Sequence, residues 1–177
     1  MRLTPVEHPA NPLMRLAYRL STRRYGKVLI PLRVMYARKP RLLYLAGQIQ
    51  RVAEGLSLEP SLRMLVQVYA ARINGCAFCQ DLILSEALRR KLGRERFDAL
   101  ADYRTSPLFS DRERAALALV EDATGARHVS DATWAALRAH FSETEIVELV
   151  WANAAENYFN LQATVLGFES EGLAARV

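Results

Sequence analysis

The sequence predicts an all-α protein, and three observations carry that prediction. Apolar residues recur at i, i+3, i+4 and i+7 along most of the chain. Pro, Gly, Ser and Asn fall where such stretches should start and stop. No stretch alternates apolar and polar residues at period two, as a half-buried strand would. With 177 residues, 51% apolar and 24% charged, the chain suits one domain with a real core and not a disordered chain. A domain of this size buries about 70% of its unfolded surface. No run approaches 18 unbroken apolar residues, so no membrane span is expected.

The elements follow in order. Asn11 and Pro12 precede a stripe of Leu13, Leu16, Ala17 and Leu20, which begins the first helix. Pro31 interrupts the next segment. Pro40 opens RLLYLAGQIQRVAEG, a helix expected to close at Gly55. Pro60 suits the first turn of SLRMLVQVYAARIN, and Asn74-Gly75 signals a turn after it. CAFCQDLILSEALRRKLG reads as a further helix, with Gly93 placed to end it. Ser110-x-x-Glu113 and Ser142-x-x-Glu145 are capping boxes, and Ser130 is a third cap. The last long helix is expected over about 143–166, before Gly167. In all, seven or eight helices are expected.

Charge is unevenly placed. Residues 1–51 hold eleven of the 24 Lys and Arg but one acid, Glu7, of the 19 Asp and Glu. Such a segment can follow phosphates or an anionic membrane, or pack on the acidic remainder of the chain. Its basic residues alternate with Leu, Tyr and Val, which favours packing. No aromatic–basic interleaving points to nucleic acid, so that partner is not expected. The first twenty residues lack a continuous apolar stretch of the secretory kind, so a cytoplasmic setting is expected.

The chemical signal is Cys76-Ala77-Phe78-Cys79, which contains both cysteines. At i, i+3 in a helix the two Cα atoms lie ~5 Å apart, within disulfide range. After the Asn74-Gly75 turn both thiols should occupy the first helical turn, where unpaired N–H groups favour a thiolate. A thiolate can attack a peroxide or a disulfide, and its neighbour can resolve the product. The bland reading is a pair of inert core cysteines. Zinc would need four ligands, and His8, His128 and His140 are distant in sequence, so no metal is expected. A thioredoxin-like motif would need a βαβ setting.

Three segments together resemble the carboxymuconolactone decarboxylase/alkylhydroperoxidase D superfamily. They are LRMLVQVYAARINGCAFCQDLILSEALR (62–89), SDRERAALALVEDAT (110–124) and FSETEIVELVWANAAENYFNL (141–161). The segment YGKVLIPLRVMYARKPRLLYLAGQI resembles the longer, peroxidase-related members. The resemblance implies a single-domain helical bundle over 25–177, preceded by a basic helical arm at 1–24. It implies homo-oligomers, trimers or hexamers, and no organic cofactor. In the thiol-active branch a Glu twelve residues before the first Cys and a His four after the second complete a proton relay with the pair. Carried over, Cys79 meets peroxide and Cys76 resolves the product. The lactone-decarboxylating branch usually lacks this Cys pair.

The chain departs from that pattern at both proton-handling positions, which are Met64 and Ile83. General acid–base help is worth about 10²–10⁴-fold, so their loss bears directly on activity. Residues that could line the site in their stead are Gln67, Tyr69, Glu86 and Asn157. Asn153, Asn157 and Asn160 share a face of the last helix, as cavity lining or as inter-helix hydrogen bonding. Glu148 and Glu156 could meet the basic segment or be solvated. Trp134 and Trp151 read as core or interface, His128 and His140 as surface. The expected function is a thiol-dependent oxidoreductase cycling Cys76 and Cys79, with a hydroperoxide or a partner disulfide as substrate and an external thiol as reductant. The alternative is a non-catalytic helical oligomer serving as a binding scaffold, and carboxymuconolactone-type decarboxylation ranks third.

Overall fold

The computed structural model describes residues 1–177. It contains eight α-helices and no strand: α1 Pro12–Tyr25, α2 Pro40–Glu54, α3 Pro60–Ile73, α4 Ala77–Arg89, α5 Arg94–Asp98, α6 Asp111–Val120, α7 Asp131–His140 and α8 Glu143–Leu166. Two π-helical turns, Leu32–Tyr36 and Glu121–Ala126, interrupt the α pattern.

Local chemistry sets the helix ends. Asn11 caps α1 by accepting from the Leu13 N–H at 2.9 Å, and Pro12 takes the first helical position, where its missing N–H costs nothing. Pro40 and Pro60 do the same for α2 and α3. Ser110 and Ser142 close reciprocal capping boxes with Glu113 and Glu145, and Ser130 caps α7. One end differs from expectation. α4 stops at Arg89 rather than running to Gly93, because Lys91 adopts the left-handed conformation (φ 60°) and Gly93 instead precedes α5.

α3 is the centre of the molecule. Eight of its residues are buried, on all sides, so it shows no single apolar stripe. One face joins Leu58, Leu119, Leu137, Phe141, Ile146 and Leu149 in a core between α3, α6, α7 and α8. Another packs Met64, Leu65 and Val68 against Phe97, Leu100, Phe109 and Leu117. Leu149 is fully buried at the first of these. Leu149→Ala should therefore cost about 3 kcal/mol, the usual range for a core leucine truncation. A urea midpoint unchanged from wild type would contradict the placement of this core.

The basic N-terminal segment is laced to later elements. Val6 N–H donates to Arg33 O at 3.0 Å and Arg2 N–H to Leu166 O at 3.0 Å. Arg24 pairs with Glu86, and Lys27 with Glu171. α2 buries only Ala53. Along α8, Val147, Val150, Tyr158, Leu161 and Val165 lie exposed on one apolar stripe, three, eight, three and four residues apart. No helix is long and apolar enough to cross a membrane.

Candidate functional site

The α3–α4 connection is a tight reversal, and sequence dictates its shape. Asn74 ends α3 and Gly75 follows at φ +65°, a conformation that favours glycine. The Cys76 N–H then donates back to Ala71 O at 2.8 Å. Cys76 becomes the N-cap of α4 and Cys79 lies in its first turn. The two are disulfide-bonded, with Cα atoms 5.4 Å apart. The Cys76 sulfur accepts from the Cys79 backbone N–H at 3.3 Å. The helix terminus thus offers a specific hydrogen bond to Cys76, of the kind that stabilises a thiolate.

Both sulfurs lie in an apolar surround. Cys76 is 2% and Cys79 6% exposed. They cluster with Val34 of the first π-helical turn, Phe78, Ala163 of α8 and Phe168, with Ile30, Met35, Leu82, Ile83 and Leu166 at the rim. Phe168 meets Phe78 edge-to-face, with ring centroids 6.0 Å apart. Such burial disfavours a charged sulfur and opposes the helix-terminus effect.

Phe168 is held there through Asp81. The Asp81 carboxylate accepts from Ser170 Oγ and from the backbone N–H groups of Glu171, Leu173 and Ala174, each at 2.9 Å. Burial alone would push its carboxyl up, but these four donors outweigh it and hold the group below the usual aspartate range. The C-terminal tail is thereby bound along the helix that carries the cysteines.

A polar network braces the turn from the other side. Asn74 Nδ2 donates to Asn157 Oδ1 at 2.9 Å and to Asn160 Oδ1 at 3.0 Å. Asn157 Nδ2 in turn donates to Thr124 Oγ1 at 3.0 Å and Asn153 O at 2.8 Å. Asn160 Nδ2 donates to Glu156 Oε1. The α8 asparagines thus bond to one another, to Thr124 and to the Asn74 turn, mostly through side chains, with Asn153 O as a backbone acceptor. Glu156 is neither solvated nor paired with a basic residue: it is 4% exposed, with Asn160 as its one hydrogen-bond partner. Burial pushes its carboxyl up to about 7, opposed only by Asn160.

The remaining candidate residues scatter. Ile83 packs on both the cysteine cluster and the cluster that holds Met64, so apolar side chains fill both positions of the missing relay. Tyr69 stacks edge-on with Tyr103 at 5.4 Å, within the neighbouring cores. Gln67 is half-buried on α3 and makes no side-chain hydrogen bond. Glu86 faces α1, bonding Arg24 and accepting from Tyr25 Oη at 2.8 Å. Burial first, and this glutamate second, push the Tyr25 hydroxyl up to about 12. No group of three or more His, Cys, Asp or Glu is gathered to hold a metal. A groove of about 630 Å³ between Glu54, Ser57, Glu59, Arg63 and Arg90 lies at the far end of α3 from the cysteines.

Sequence reasoning did not find Val34, Phe168, Thr124 or the role of Asp81. Asn74 carried a signal, but as a turn former only.

An all-helical bundle with a Cys-x-x-Cys at a helix N-terminus, buried beside a central helix, defines the class of this protein. The chain belongs to the carboxymuconolactone decarboxylase family, whose model matches residues 45–122. It is 33% identical over 159 residues to the uncharacterized protein YnjA of Escherichia coli K12, spanning 87% of this chain and 86% of YnjA. A crystal structure from Agrobacterium tumefaciens, of a protein of unknown function proposed as the antioxidant defence protein AhpD, is 30% identical. It superposes with a TM-score of 0.72 over 78% of this chain and 97% of that one. The debrominase Bmp8 shares the fold, with a TM-score of 0.83 and 19% identity over 98% of this chain and 94% of its own.

Proposed function

We propose that this protein is a thiol-dependent oxidoreductase of antioxidant type, cycling Cys76 and Cys79 between dithiol and disulfide. The observation that carries the reading is the cap geometry: a bondable Cys pair at a helix N-terminus, with a backbone N–H on one sulfur. The proposed relative from Agrobacterium tumefaciens agrees in its suggested role.

By resemblance to the family's thiol-active branch, Cys79 is the sulfur that meets external groups; both residues are buried, Cys76 slightly more so. Its thiolate attacks the terminal oxygen of a hydroperoxide ROOH. The O–O bond breaks, Cys79 becomes a sulfenic acid, and RO⁻ takes a proton to leave as ROH. Cys76 then attacks the sulfenic sulfur, forming the disulfide and releasing water. Overall, the dithiol loses two electrons and two protons while ROOH becomes ROH and water. An external thiol attacks Cys79 to form a mixed disulfide. Cys76 leaves as the thiolate that the Cys79 N–H stabilises, and a lower-pKa thiol leaves faster. A second thiol then attacks that external sulfur, releasing Cys79 and carrying the oxidation away as an external disulfide. A partner disulfide in place of ROOH enters by the same exchange, and the loss of the Glu and His relay handicaps exchange less than peroxide cleavage.

The test is titration of the pair against glutathione, with free thiols counted by mass spectrometry, followed by exposure to an alkyl hydroperoxide. Reversible loss and recovery of two thiols per chain is expected. Two thiols that stay unreactive in the folded protein would leave the second reading, a binding scaffold, which the apolar burial of both sulfurs favours. In either case we propose a homo-oligomer, with the apolar stripe on α8 as its supporting feature.

A further inference from the structure

We propose that Glu156 is the positioning residue of the Cys76–Cys79 centre, acting through Asn160 and Asn74 on the turn that presents Cys76. The inference rests on the redox reading of the pair. Three acidic side chains are buried in the molecule, Asp81, Glu156 and Glu171, and Glu171 is paired with Lys27. Asp81 is saturated by four donors, whereas Glu156 has one partner and no cation. An acid so placed costs stability unless its site uses it.

The chain of hydrogen bonds has a direction that Glu156 imposes. A carboxylate accepts only, so Asn160 must turn Nδ2 toward it. That turns Asn160 Oδ1 toward Asn74, whose Nδ2 donates to it at 3.0 Å. Asn157, the other acceptor of Asn74, is oriented separately by Thr124 and Asn153. Once Glu156 takes up a proton it can also donate, and Asn160 is free to flip. A flipped Asn160 would face Asn74 donor to donor, and the turn would lose one of its two braces. Gly75 and Cys76 follow directly, and the Cys79 N–H to Cys76 Sγ bond depends on where that turn holds Cys76. The ionised glutamate therefore favours the geometry in which the Cys76 thiolate is stabilised.

Other titratable groups on the neighbouring elements are engaged elsewhere. On α3, Arg63 donates to Ala53 O and Arg72 to Asp98 O, while Tyr69 packs on Tyr103. On α4, Asp81 binds the tail and Glu86 binds Arg24. On α6 and α7, Arg112 pairs with Glu145, Glu113 with Arg96, and His140 ends its helix. In the two π-helical turns, Asp122 accepts from Ser130, Glu121 pairs with Arg104, and Tyr36 is shifted by burial and Tyr158. None of them bonds to Glu156.

The experiment uses the full-length protein in its reduced form. Alkylation of the pair by iodoacetamide is followed from pH 5.5 to 9 in wild type and in Glu156→Gln, whose side chain has the same shape. In parallel, the Asn74 side-chain amide is followed by NMR across the same range. In wild type, alkylation should show a second inflection near neutrality, worth about fivefold, the scale of one hydrogen bond. The Asn74 amide should shift with the same midpoint. In Glu156→Gln both features should vanish, leaving only the thiol ionisation. Reactive thiols with superimposable profiles, or an Asn74 amide indifferent to pH, would overturn the inference and leave the redox reading standing. Thiols inert in wild type would overturn the redox reading, and this inference with it.

Discussion

Cys79→Ser is expected to abolish reaction with hydroperoxide, while Cys76→Ser keeps a single stoichiometric turnover. The asymmetry follows from the site. Cys79 is the slightly less buried residue, and Cys76 is the capped one, whose sulfur accepts from the Cys79 N–H at 3.3 Å. Without Cys76 the sulfenic acid on Cys79 has no resolving partner, so it should be trapped by a dione reagent as one adduct per chain. Without Cys79 no adduct should form. Steady-state turnover should fall by at least about 10³-fold in both, because a nucleophile and its resolving partner act as a unit. Mass spectrometry of the trapped protein distinguishes the two variants. Equal labelling of both would show that the roles of the two cysteines are not divided in this way.

Asp81→Ala is expected to detach the C-terminal tail and to cost about 4 kcal/mol. The substitution strands the N–H groups of Glu171, Leu173 and Ala174, and Leu173 and Ala174 are buried. A hydrogen bond to a charged group contributes about 1.5–3 kcal/mol, and a stranded donor costs about 1–3. Fraying of the tail into water limits the total. The loss should appear in urea unfolding, and a change below about 1 kcal/mol would contradict the tether. Freed of its tail, Phe168 should leave Phe78, and the cysteines should react faster with alkylating agents in the folded state. The pH dependence has a definite sign. Because the folded carboxyl lies below its ordinary value, the stability it contributes is fully present above the unfolded value of ~3.9 and is lost as pH falls below it. The wild-type tether should therefore hold throughout the neutral range, and the variant should differ least from wild type in strong acid.

These two expectations differ in how far the sequence could have supported them. The cysteine pair was legible at once, because i, i+3 spacing after Asn74-Gly75 sets both the Cα separation and the helix-end position by local geometry alone. The capping boxes at Ser110 and Ser142 and the prolines opening α1, α2 and α3 were legible for the same reason. Asp81 was not. Two residues beyond Cys79, it reads as a helix residue turned away from the pair, and nothing local pairs it with residues 170–174. Glu86, readable as a site residue two turns along from Cys79, is claimed instead by Arg24 and Tyr25, more than sixty residues earlier in the chain.

Sequence by itself determined the helices, their ends and the chemistry available at Cys76 and Cys79, since capping, breaking and helical spacing act within four or five residues. Tertiary structure alone decided what surrounds that chemistry. It set Val34 and Phe168 against the sulfurs, joined Asn74 to Asn157 and Asn160, and buried Glu156 behind them. Those contacts span tens of residues and depend on how α8 and the tail cross α3 and α4. A pattern of apolar periodicity says which face of a helix is buried, but not which polar group waits on the helix it meets.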